Sequence, residues 1–482
     1  MLEEAVDFRV ESEQFDCNAL QVFEVEGREA ISRLFSFDIG VVSTSSAGLD
    51  PEVVHGALVS LVMEVGGLEV RRIHGMVAEV EDLLDTEPST RTYRLRLVPR
   101  MFRLSLVHTQ DIFMGLTVPE IITKKLELLA FTPDDFELRL LSTHPVRDFV
   151  VQYRETDLAF VQRLAEHEGI SFFFDCSEGK DKLVFTDHQA GFAPVPGHTM
   201  AAFRGKGDKR DVFTLTSRTR VVPHAHVVHD YNYRSPQVDP TGTAEAPSGL
   251  VGGTVEYGAH VRTPAEAATL AQVRAQETEC THLVYKGRSD LGWVSAGFPF
   301  TLDGHPRLDD TGLLVTEVEH RVRKPVALQS QGEIPYGNTF HAIASSLVFR
   351  PPRITPRPRI HGVLHAVVEG ETAGMETKFA RLDDQGRYIV RLMFDTSGAE
   401  GRAAFSHRVR MGQPHTGTSW GMHMPLKPGT EVVVAFVDGD PDRPIIVGAV
   451  PNPITRSVVI DKSAPAHRIL TATGILIEMK DA

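Results

Sequence analysis

The amino-acid sequence predicts a mainly β protein with α+β insertions. Most of its 482 residues lie in short runs that alternate apolar and polar side chains between Gly, Pro, Asp or Asn, as in "RTYRLRLVPR", "DKLVFTDH" and "HGVLHAVVEG". A period of two residues is typical of strands with one buried face. Three separate stretches instead show the 3.6-residue spacing of helices. Strands therefore dominate, and the helices are insertions between them.

The helical stretches are "TVPEIITKKLELLAF" near residue 120, "ETDLAFVQRLAEHEG" near 160 and "TPAEAATLAQVRAQETEC" near 270. In the second, Thr156 or Asp157 can cap the free N–H groups of the first turn, and Gly169 can end the helix in a left-handed conformation. The apolar stripe of this helix comprises Leu158, Val161, Leu164 and Ala165. We expect Glu166 and Glu168 to lie on a solvated helix end, because charged side chains are rarely buried.

Shifts in composition divide the chain into six parts. We expect a β region (1–115), an α/β region (116–180), a second β region with one helix (181–349), a Pro/Arg linker (350–358), a compact five-stranded unit (359–455) and a short terminal β segment (456–482). The linker sequence "RPPRITPRPR" fits a basic arm for an acidic partner, but its prolines favour a stiff, extended connector. Five short strands suit a small closed barrel of the OB type.

One strand of this barrel, "EVVVAFVDGD", is apolar on both faces. Val432, Val434 and Phe436 can line the barrel, because alternate residues of a strand point to the same side. The residues that then point outward are Val433, Ala435 and Val437. A small barrel buries only its interior, so this outward apolar row indicates that another chain covers it.

The composition excludes several classes of protein. The formal net charge of −14 argues against a protein that binds duplex nucleic acid, since affinity for phosphate backbones depends on clustered Lys and Arg. No apolar run approaches the roughly 20 residues that span a bilayer, and the acidic amino terminus is unlike a secretory signal. The chain has an odd number of cysteines, and the three lie far apart in the sequence; they are Cys17, Cys176 and Cys280. This pattern argues against a disulfide framework or a zinc knuckle. We therefore expect assembly in the cytoplasm.

The segment "GTSWG", residues 417–421, fits the G-x-S-x-G pattern of a serine-hydrolase nucleophile elbow. An elbow requires a buried strand before the serine and a helix after it. Gly412 and Pro414 interrupt the preceding strand, and Pro425 and Pro428 oppose a following helix. A loop is therefore the favoured interpretation, and a hydrolase acting on envelope or ester substrates through Ser419 is the alternative.

The segment "PHAHVVHD" has the residue types of a metal site. It brings His224, His226 and His229 close to Asp230, and H-x-H spacing puts two imidazoles on the same face of a strand. Because the flanking residues alternate and no cysteine is near, an exposed, histidine-rich strand is the favoured interpretation.

The segment "DGDPDRP" has aspartates at the first, third and fifth positions of an EF-hand loop, namely Asp438, Asp440 and Asp442. Its sixth position is Arg443 where the loop needs glycine, and its twelfth is Ala449 where the loop needs glutamate. We therefore expect a turn between two strands. No catalytic, cofactor-binding or metal-binding residue is assigned, and no cofactor is expected.

Four segments are the most distinctive of the chain: "VQYRETDLAFVQRLAEHEGISFFF", "VVHDYNYRSP", "DDQGRYIVRL" and "QPHTGTSWGMHMPLKPGTEVVVAFVDGDPDRPIIVGAVPNP". Together they resemble the VgrG spike family of type VI secretion and related contractile injection systems. The similarity covers nearly the whole chain, and Trp420 and Pro425 are recognisable positions of the loop before the barrel strand. In this family the loop performs no chemistry, which agrees with the loop interpretation of Ser419.

The resemblance implies a homotrimer similar to the hub and cell-puncturing spike of phage tails. By this likeness, 1–115 and 181–349 are tube-like β-barrel hub domains, 116–180 is an α/β hub domain, 359–455 is an OB-fold domain and 456–482 starts a triple-stranded β-helix. Three copies of two similar barrels would match a hexameric inner tube. The sequence ends about thirty residues after the barrel, so we expect a short or cut-off needle and a separate PAAR-like tip protein.

The function implied is that of a structural spike and not of an enzyme. The implied partners are the hexameric inner-tube protein, baseplate proteins, the tip protein and effector cargo, with no nucleic acid and no stable membrane insertion. The protein would be cytoplasmic during assembly and then ejected to the extracellular space or the target cell. The segment "RLMFDTSGAEG" lacks the Pro-Trp common in type VI members, which leaves an extracellular particle or a phage-like tail open. A second alternative is an OB-fold ligand-binding module, although the barrel offers few aromatic residues beyond Trp420.

Overall fold

The structure is a computed structural model that describes residues 6–45, 48–84, 91–205, 211–324, 334–370, 380–395, 406 and 408–480. Residues 396–401 of the segment "RLMFDTSGAEG" lie outside this described part. The chain forms two compact units. The larger unit comprises the described residues up to Val107 together with Val118–Pro145 and Thr156–Thr355, and the smaller unit comprises His108–Thr117, Val146–Glu155 and the described residues from Pro356 onward.

Strands dominate the chain before the linker. They are β1 (Val6–Glu11), β2 (Leu20–Ala30), β3 (Ser36–Ser43), β4 (Leu58–Val65), β5 (Leu68–Leu83), β6 (Arg91–Val98), β7 (His108–Phe113), β8 (Phe136–Arg139), β9 (Val150–Thr156), β10 (Ser171–Asp175), β11 (Lys182–Thr186), β12 (Met200–Ala202), β13 (Val212–Thr219), β14 (Ala225–His229), β15 (Gly242–Glu245), β16 (Gly253–Tyr257), β17 (Leu283–Ser289), β18 (Pro299–Asp303), β19 (Thr311–Arg323) and β20 (Ile334–Ala344). The α-helices are α1 (Pro51–Val54), α2 (Val118–Glu127), α3 (Asp157–Glu168) and α4 (Pro264–His282).

The strands after the linker are shorter. They are β21 (Val363–Val368), β22 (Val390–Leu392), β23 (Arg410–Met411), β24 (Thr416–Gly417), β25 (Trp420–Gly421), β26 (Glu431–Phe436), β27 (Pro444–Ala449), β28 (Ala466–Leu470) and β29 (Leu476–Lys480). The prediction of a mainly β chain with helical insertions is therefore confirmed. Among the described residues, none of the helices combines the length and apolar character needed to cross a membrane.

A twelve-stranded sheet forms the frame of the larger unit. Its main path runs β1-β4-β5-β6-β3-β2-β19-β20-β17-β13, and β18 adds to β19 and carries β12. Strands β2 and β19 are antiparallel neighbours in register from Glu24 with Arg323 to Ala30 with Glu317. This pairing joins strands of the predicted 1–115 and 181–349 regions into one continuous sheet, which sequence alternation alone does not indicate.

A chain of buried polar contacts links the two halves of this sheet. The Glu29 carboxylate lies 2.8 Å from Arg71 Nη2 and 2.7 Å from His320 Nε2. His320 Nδ1 lies 2.9 Å from the Tyr336 hydroxyl, which accepts a hydrogen bond from Asn338 Nδ2 at 3.2 Å. Burial raises the pKa of Glu29, but Arg71 and His320 outweigh it and hold that pKa at about 2. The buried charges therefore compensate one another.

The smaller unit contains the predicted five-stranded barrel. Its sheet runs β22-β21-β26-β27-β23, so each of the five predicted barrel segments supplies one strand. Two strands from earlier in the chain, β7 and β9, pair with each other, and Ile112, Val151 and Tyr153 from this part of the chain join the barrel core. This grouping cuts across the predicted limit between 1–115 and 116–180, and the six-part division stays a prediction.

Helix α3 begins and ends as its sequence predicts. The Thr156 side chain accepts a hydrogen bond from the N–H of Ala159 at 3.1 Å, and Gly169 ends the helix with a φ of 73°. The expectation of a solvated helix end is wrong, because Glu166 and Glu168 are both buried. Residues far away in the sequence cover these two side chains, so the sequence of α3 alone does not predict their burial.

The linker explains the burial of Glu166. The Glu166 carboxylate accepts hydrogen bonds from the N–H groups of Ile354 and Thr355 at 3.1 and 2.9 Å and from the Thr355 hydroxyl at 2.8 Å. Arg350 of the same linker donates to the Gly169 carbonyl at 2.8 Å. The first half of the linker is therefore fixed within the larger unit, and its role as a stiff connector stays a prediction.

Candidate assembly surface

Ser419 lies in a tight turn. Strands β24 and β25 pair with Gly417 opposite Trp420, which leaves Thr418 and Ser419 as the two turn residues. Ser419 has a φ of 61°, and a strand follows it directly. This is not the strand-to-helix corner that an elbow requires, so the loop interpretation is confirmed. Trp420 is 59% exposed and contacts the His415 ring at a centroid distance of 4.8 Å.

The histidines of "PHAHVVHD" each have a separate neighbour. His226 Nδ1 lies 2.8 Å from the Thr254 hydroxyl, and His229 Nδ1 lies 2.7 Å from the Thr241 hydroxyl. His224 Nε2 lies 3.6 Å from Glu245. The exposed-strand interpretation is wrong for His226, which is only 3% exposed, and burial lowers the pKa of its imidazole. These side chains do not converge as the ligands of one metal ion would.

The aspartates of "DGDPDRP" form the turn between β26 and β27, as predicted. Asp438 takes a left-handed φ of 55° in this turn. Asp440 Oδ1 accepts a hydrogen bond from the Asp442 N–H at 3.1 Å, and Asp442 Oδ1 accepts one from the Val151 N–H at 2.7 Å. The carboxylates therefore bind backbone groups of the smaller unit and brace its turn.

The outer face of the barrel has the predicted apolar row. On β26, Val432, Val434 and Phe436 are buried, whereas Val433 and Ala435 are only partly covered. Val437, the third residue of the predicted row, is exposed, and two further exposed valines of this sheet are Val363 and Val447. Ala435 pairs across the sheet with Val363, so the row extends over more than one strand.

The last two strands are the most exposed apolar element of the smaller unit. Strands β28 and β29 form a hairpin in which Ile469 pairs with Ile477 and Leu470 pairs with Leu476. We call this element the terminal hairpin; its exposed apolar side chains are Ile469, Leu470, Ile475, Leu476, Ile477 and Met479. An isolated two-stranded hairpin is at best marginally stable in water, so these side chains require cover from other strands.

The sequence predicted short strands here, and the family resemblance implied the start of a triple-stranded β-helix, but no individual residue of this segment was singled out. The available signal was the run "GILIEM", in which apolar residues occupy both faces of a strand. Apolar residues on both faces of a strand are typical of burial on both sides, yet Ile475, Leu476 and Ile477 are all exposed. The terminal hairpin and the outer barrel row together form the candidate assembly surface.

Comparison with known families identifies this architecture. Residues 28–326 match the model of the phage tail baseplate hub (GPD) family. The chain belongs to the phage tail baseplate hub family. Residues 380–450 also match the injector OB domain of type VI secretion systems and phage baseplates, which confirms the OB-type barrel.

The hub-family relatives include spike proteins. VgrG4b, a type VI secretion system spike protein of Pseudomonas aeruginosa, is 31% identical over 94% of this chain and 58% of its own length. The spike protein VgrG5 of the same organism is 31% identical over 91% of this chain and 56% of its own length. The chain therefore spans little more than half the length of these relatives, and the resemblance to the VgrG family is confirmed.

A solved structure agrees with the hub-family fold. An E. coli type VI secretion component, described as similar to the T4 phage tail proteins gp27 and gp5, has a TM-score of 0.67 and 24% identity. The match covers 92% of this chain and 100% of that chain. Neither the serine-hydrolase alternative nor the ligand-binding alternative receives support from these comparisons.

Proposed function

We propose that this protein is the structural hub and spike of a contractile injection machine and works as a homotrimer. The terminal hairpin carries this proposal. The apolar side chains of its two strands and their turn are between 45% and 65% exposed in the single chain. Burial of apolar surface stabilises by roughly 25 cal/mol per Å², so the same strands from other copies are natural partners. Three such hairpins wound together leave no strand edge unpaired.

We also propose that the trimer caps a hexameric inner tube, and the larger unit supports this part of the proposal. Its sheet contains two β-rich halves joined where β2 pairs with β19. Three copies would present six such halves in a ring, and a threefold spike would then meet a sixfold tube. We propose the tube-like hub assignments of 1–115 and 181–349 on this basis.

The remaining partners follow from the same role. A spike driven through a target envelope needs baseplate proteins at its base and a PAAR-like tip or effector cargo at its carboxyl end. We propose assembly in the cytoplasm and ejection to the extracellular space or the target cell. In this role the chain performs no catalysis, and it needs neither a metal nor a cofactor.

Native mass spectrometry of the purified protein tests the trimer. We expect three copies for the unmodified chain and single copies for the double variant Ile469→Ser with Ile477→Ser, because the hairpin then loses its paired apolar centre. The matched control is Leu128→Ser with Leu141→Ser, which removes two exposed leucines of the larger unit. The control should stay trimeric. A monomeric unmodified protein, or a hairpin variant that still trimerises, would contradict the proposal.

A further inference from the structure

A cleft of about 530 Å³ opens in the larger unit between β16 and α4. Its volume falls within the roughly 300–1,000 Å³ that is common for ligand-binding clefts. One wall is the strand segment from Thr254 to Tyr257, and the other is the helix face that contains Arg274, Thr278 and Thr281. The family resemblance and the trimer proposal give this cleft no role.

The strand wall is an open sheet edge. In the described part of the chain, β16 pairs only with β14, at one end of the sheet β15-β14-β16. Val255 is 75% exposed and Tyr257 is 59% exposed, and the neighbouring Leu250 and Val251 are also exposed. Exposed edges with apolar side chains are usually blunted by charge or proline or are covered by another strand. The residues of β16, "GTVEY", include no proline and a single charge.

The charges around the cleft cancel. Arg274 Nε lies 2.7 Å from the Glu256 carboxylate, which also lies 2.6 Å from Arg353 Nη1. Arg353 Nε lies 3.0 Å from the Glu277 carboxylate. Two guanidinium groups and two carboxylates thus form one neutral cluster. A polyanion or a strongly charged peptide would have to break these pairs to bind, whereas an uncharged segment would leave them intact.

From this combination we infer that the cleft binds an extended, uncharged peptide segment of a partner protein, which adds to the free edge of β16 as a further strand. The five residues of β16 span about 16 Å at about 3.3 Å per residue, enough for a bound segment of similar length. Main-chain hydrogen bonds supply affinity in this mode, and side-chain pockets supply selectivity. Apolar side chains on one face of the segment would contact Val255 and Tyr257, and its other face would meet α4.

Binding of synthetic peptides to the full-length protein tests this inference. The probes are fluorescent, end-capped heptapeptides that alternate Thr with Val, Leu or Tyr, and binding is followed by fluorescence polarisation. We expect saturable binding by at least one probe and slower amide exchange at Thr254–Tyr257 when that probe is bound. If no probe binds saturably, the inference is overturned.

Backbone methylation separates strand addition from simple apolar contact. The N–H groups of a strand alternate in direction, so only one alternating set faces the β16 edge. N-methylation of that set should weaken binding at least tenfold, and N-methylation of the other set should have little effect. Equal effects of the two sets would overturn strand addition.

A substitution in the helix wall locates the site. Thr278→Trp should fill the cleft and weaken binding at least tenfold, whereas the control Thr269→Trp changes an exposed position of the same helix outside the cleft. Equal binding by both variants would exclude the cleft. Concentration-dependent protection of Thr254–Tyr257 in the protein alone would show that a second copy occupies the edge, which overturns the partner assignment. The inference does not depend on the trimer, since each of these outcomes can be read in a monomer.

Discussion

The two units of this protein differ in their most distinctive side chains: the larger unit buries charged pairs, and the smaller unit exposes an apolar hairpin. In the larger unit, buried charges have nearby countercharges, such as Lys125 with Asp157 at 3.0 Å and Arg71 with Glu29 at 2.8 Å. In the smaller unit the barrel closes around its own core, yet valines remain on its outer face and the terminal hairpin is apolar on exposed faces. The larger unit thus pairs the charges that it buries, while the smaller unit carries a hairpin whose apolar side chains are about half exposed.

The largest effect should come from the buried charges of the larger unit. Glu29→Ala leaves Arg71 buried without its carboxylate, which should lower the free energy of unfolding by about 3–5 kcal/mol. Chemical denaturation of the full-length protein, followed by circular dichroism, measures this loss.

The matched control is Glu26→Ala on the same strand. Glu26 pairs with Arg321 at 3.1 Å, but both side chains are more than half exposed. Exposed pairs contribute about 0–1 kcal/mol, so this variant should change stability little. If both variants lost similar stability, the buried Glu29–Arg71 pair would contribute no more than the exposed Glu26–Arg321 pair, which would contradict this prediction.

The next effect depends on pH. His144 Nδ1 lies 2.6 Å from Glu168, and His144 Nε2 lies 3.4 Å from Asp187. Burial lowers the pKa of His144, but Asp187 and Glu168 outweigh it and raise that pKa to about 9. A raised folded-state pKa gives stability that is complete below the unfolded value of about 6.5 and is lost as pH rises through 9.

Unfolding free energies measured between pH 6.5 and 9 should therefore fall by up to about 1.4 kcal/mol per pH unit. The variant His144→Gln should be less stable at pH 6.5 and should show a flatter profile over this range. A profile that is equally steep in the variant would show that other groups carry the pH dependence.

A smaller effect should separate the two faces of β26. Val434→Ala removes two buried methyl groups from the barrel core and should lower the free energy of unfolding by about 2 kcal/mol. Val433→Ala on the outer face should change the stability of the single chain little but should weaken trimer formation. Denaturation of each valine substitution in the monomeric Ile469→Ser, Ile477→Ser background measures the free energy of unfolding of the single chain. Sedimentation of each valine substitution in the otherwise unmodified protein measures trimer formation. Equal stability losses at the two positions would show that the outer row is already covered within one chain.

The smallest effect is expected at Ser419. Ser419→Ala changes an exposed turn residue and should shift stability by less than about 0.5 kcal/mol, with unchanged trimer formation. Assays with ester and peptidoglycan substrates should show no turnover for either form. Turnover that disappears in the variant would restore the hydrolase alternative.

Local patterns predicted local structure well. The cap at Thr156, the stop at Gly169 and the five barrel segments depend on neighbours within a few residues, and all are found as expected. The burial of Glu166 and of His226 was not predictable in this way. Glu166 is covered by Thr355, 189 positions away, and His226 by Thr254, 28 positions away, so their burial depends on the packing of distant segments.

The candidate assembly surface was predicted from the sequence only in part. The outer row of β26 followed from alternation alone, because inward and outward positions of a strand are separated by one residue. The terminal hairpin was expected as a short β segment that starts a β-helix, but its individual apolar residues were not identified, because they show no alternation and such a run is compatible with several kinds of burial.

The sequence by itself determined the periodicities, the caps and the turns, since these depend on residue types at short spacing, and its resemblance to a known family indicated a hub and spike protein. Only the tertiary structure decided that β2 joins β19, that β7 and β9 pack on the barrel, and which charges are buried together. The physical reason is that strand pairing and side-chain burial depend on contacts between segments that are distant in the sequence. A local sequence pattern does not specify which distant segment makes these contacts.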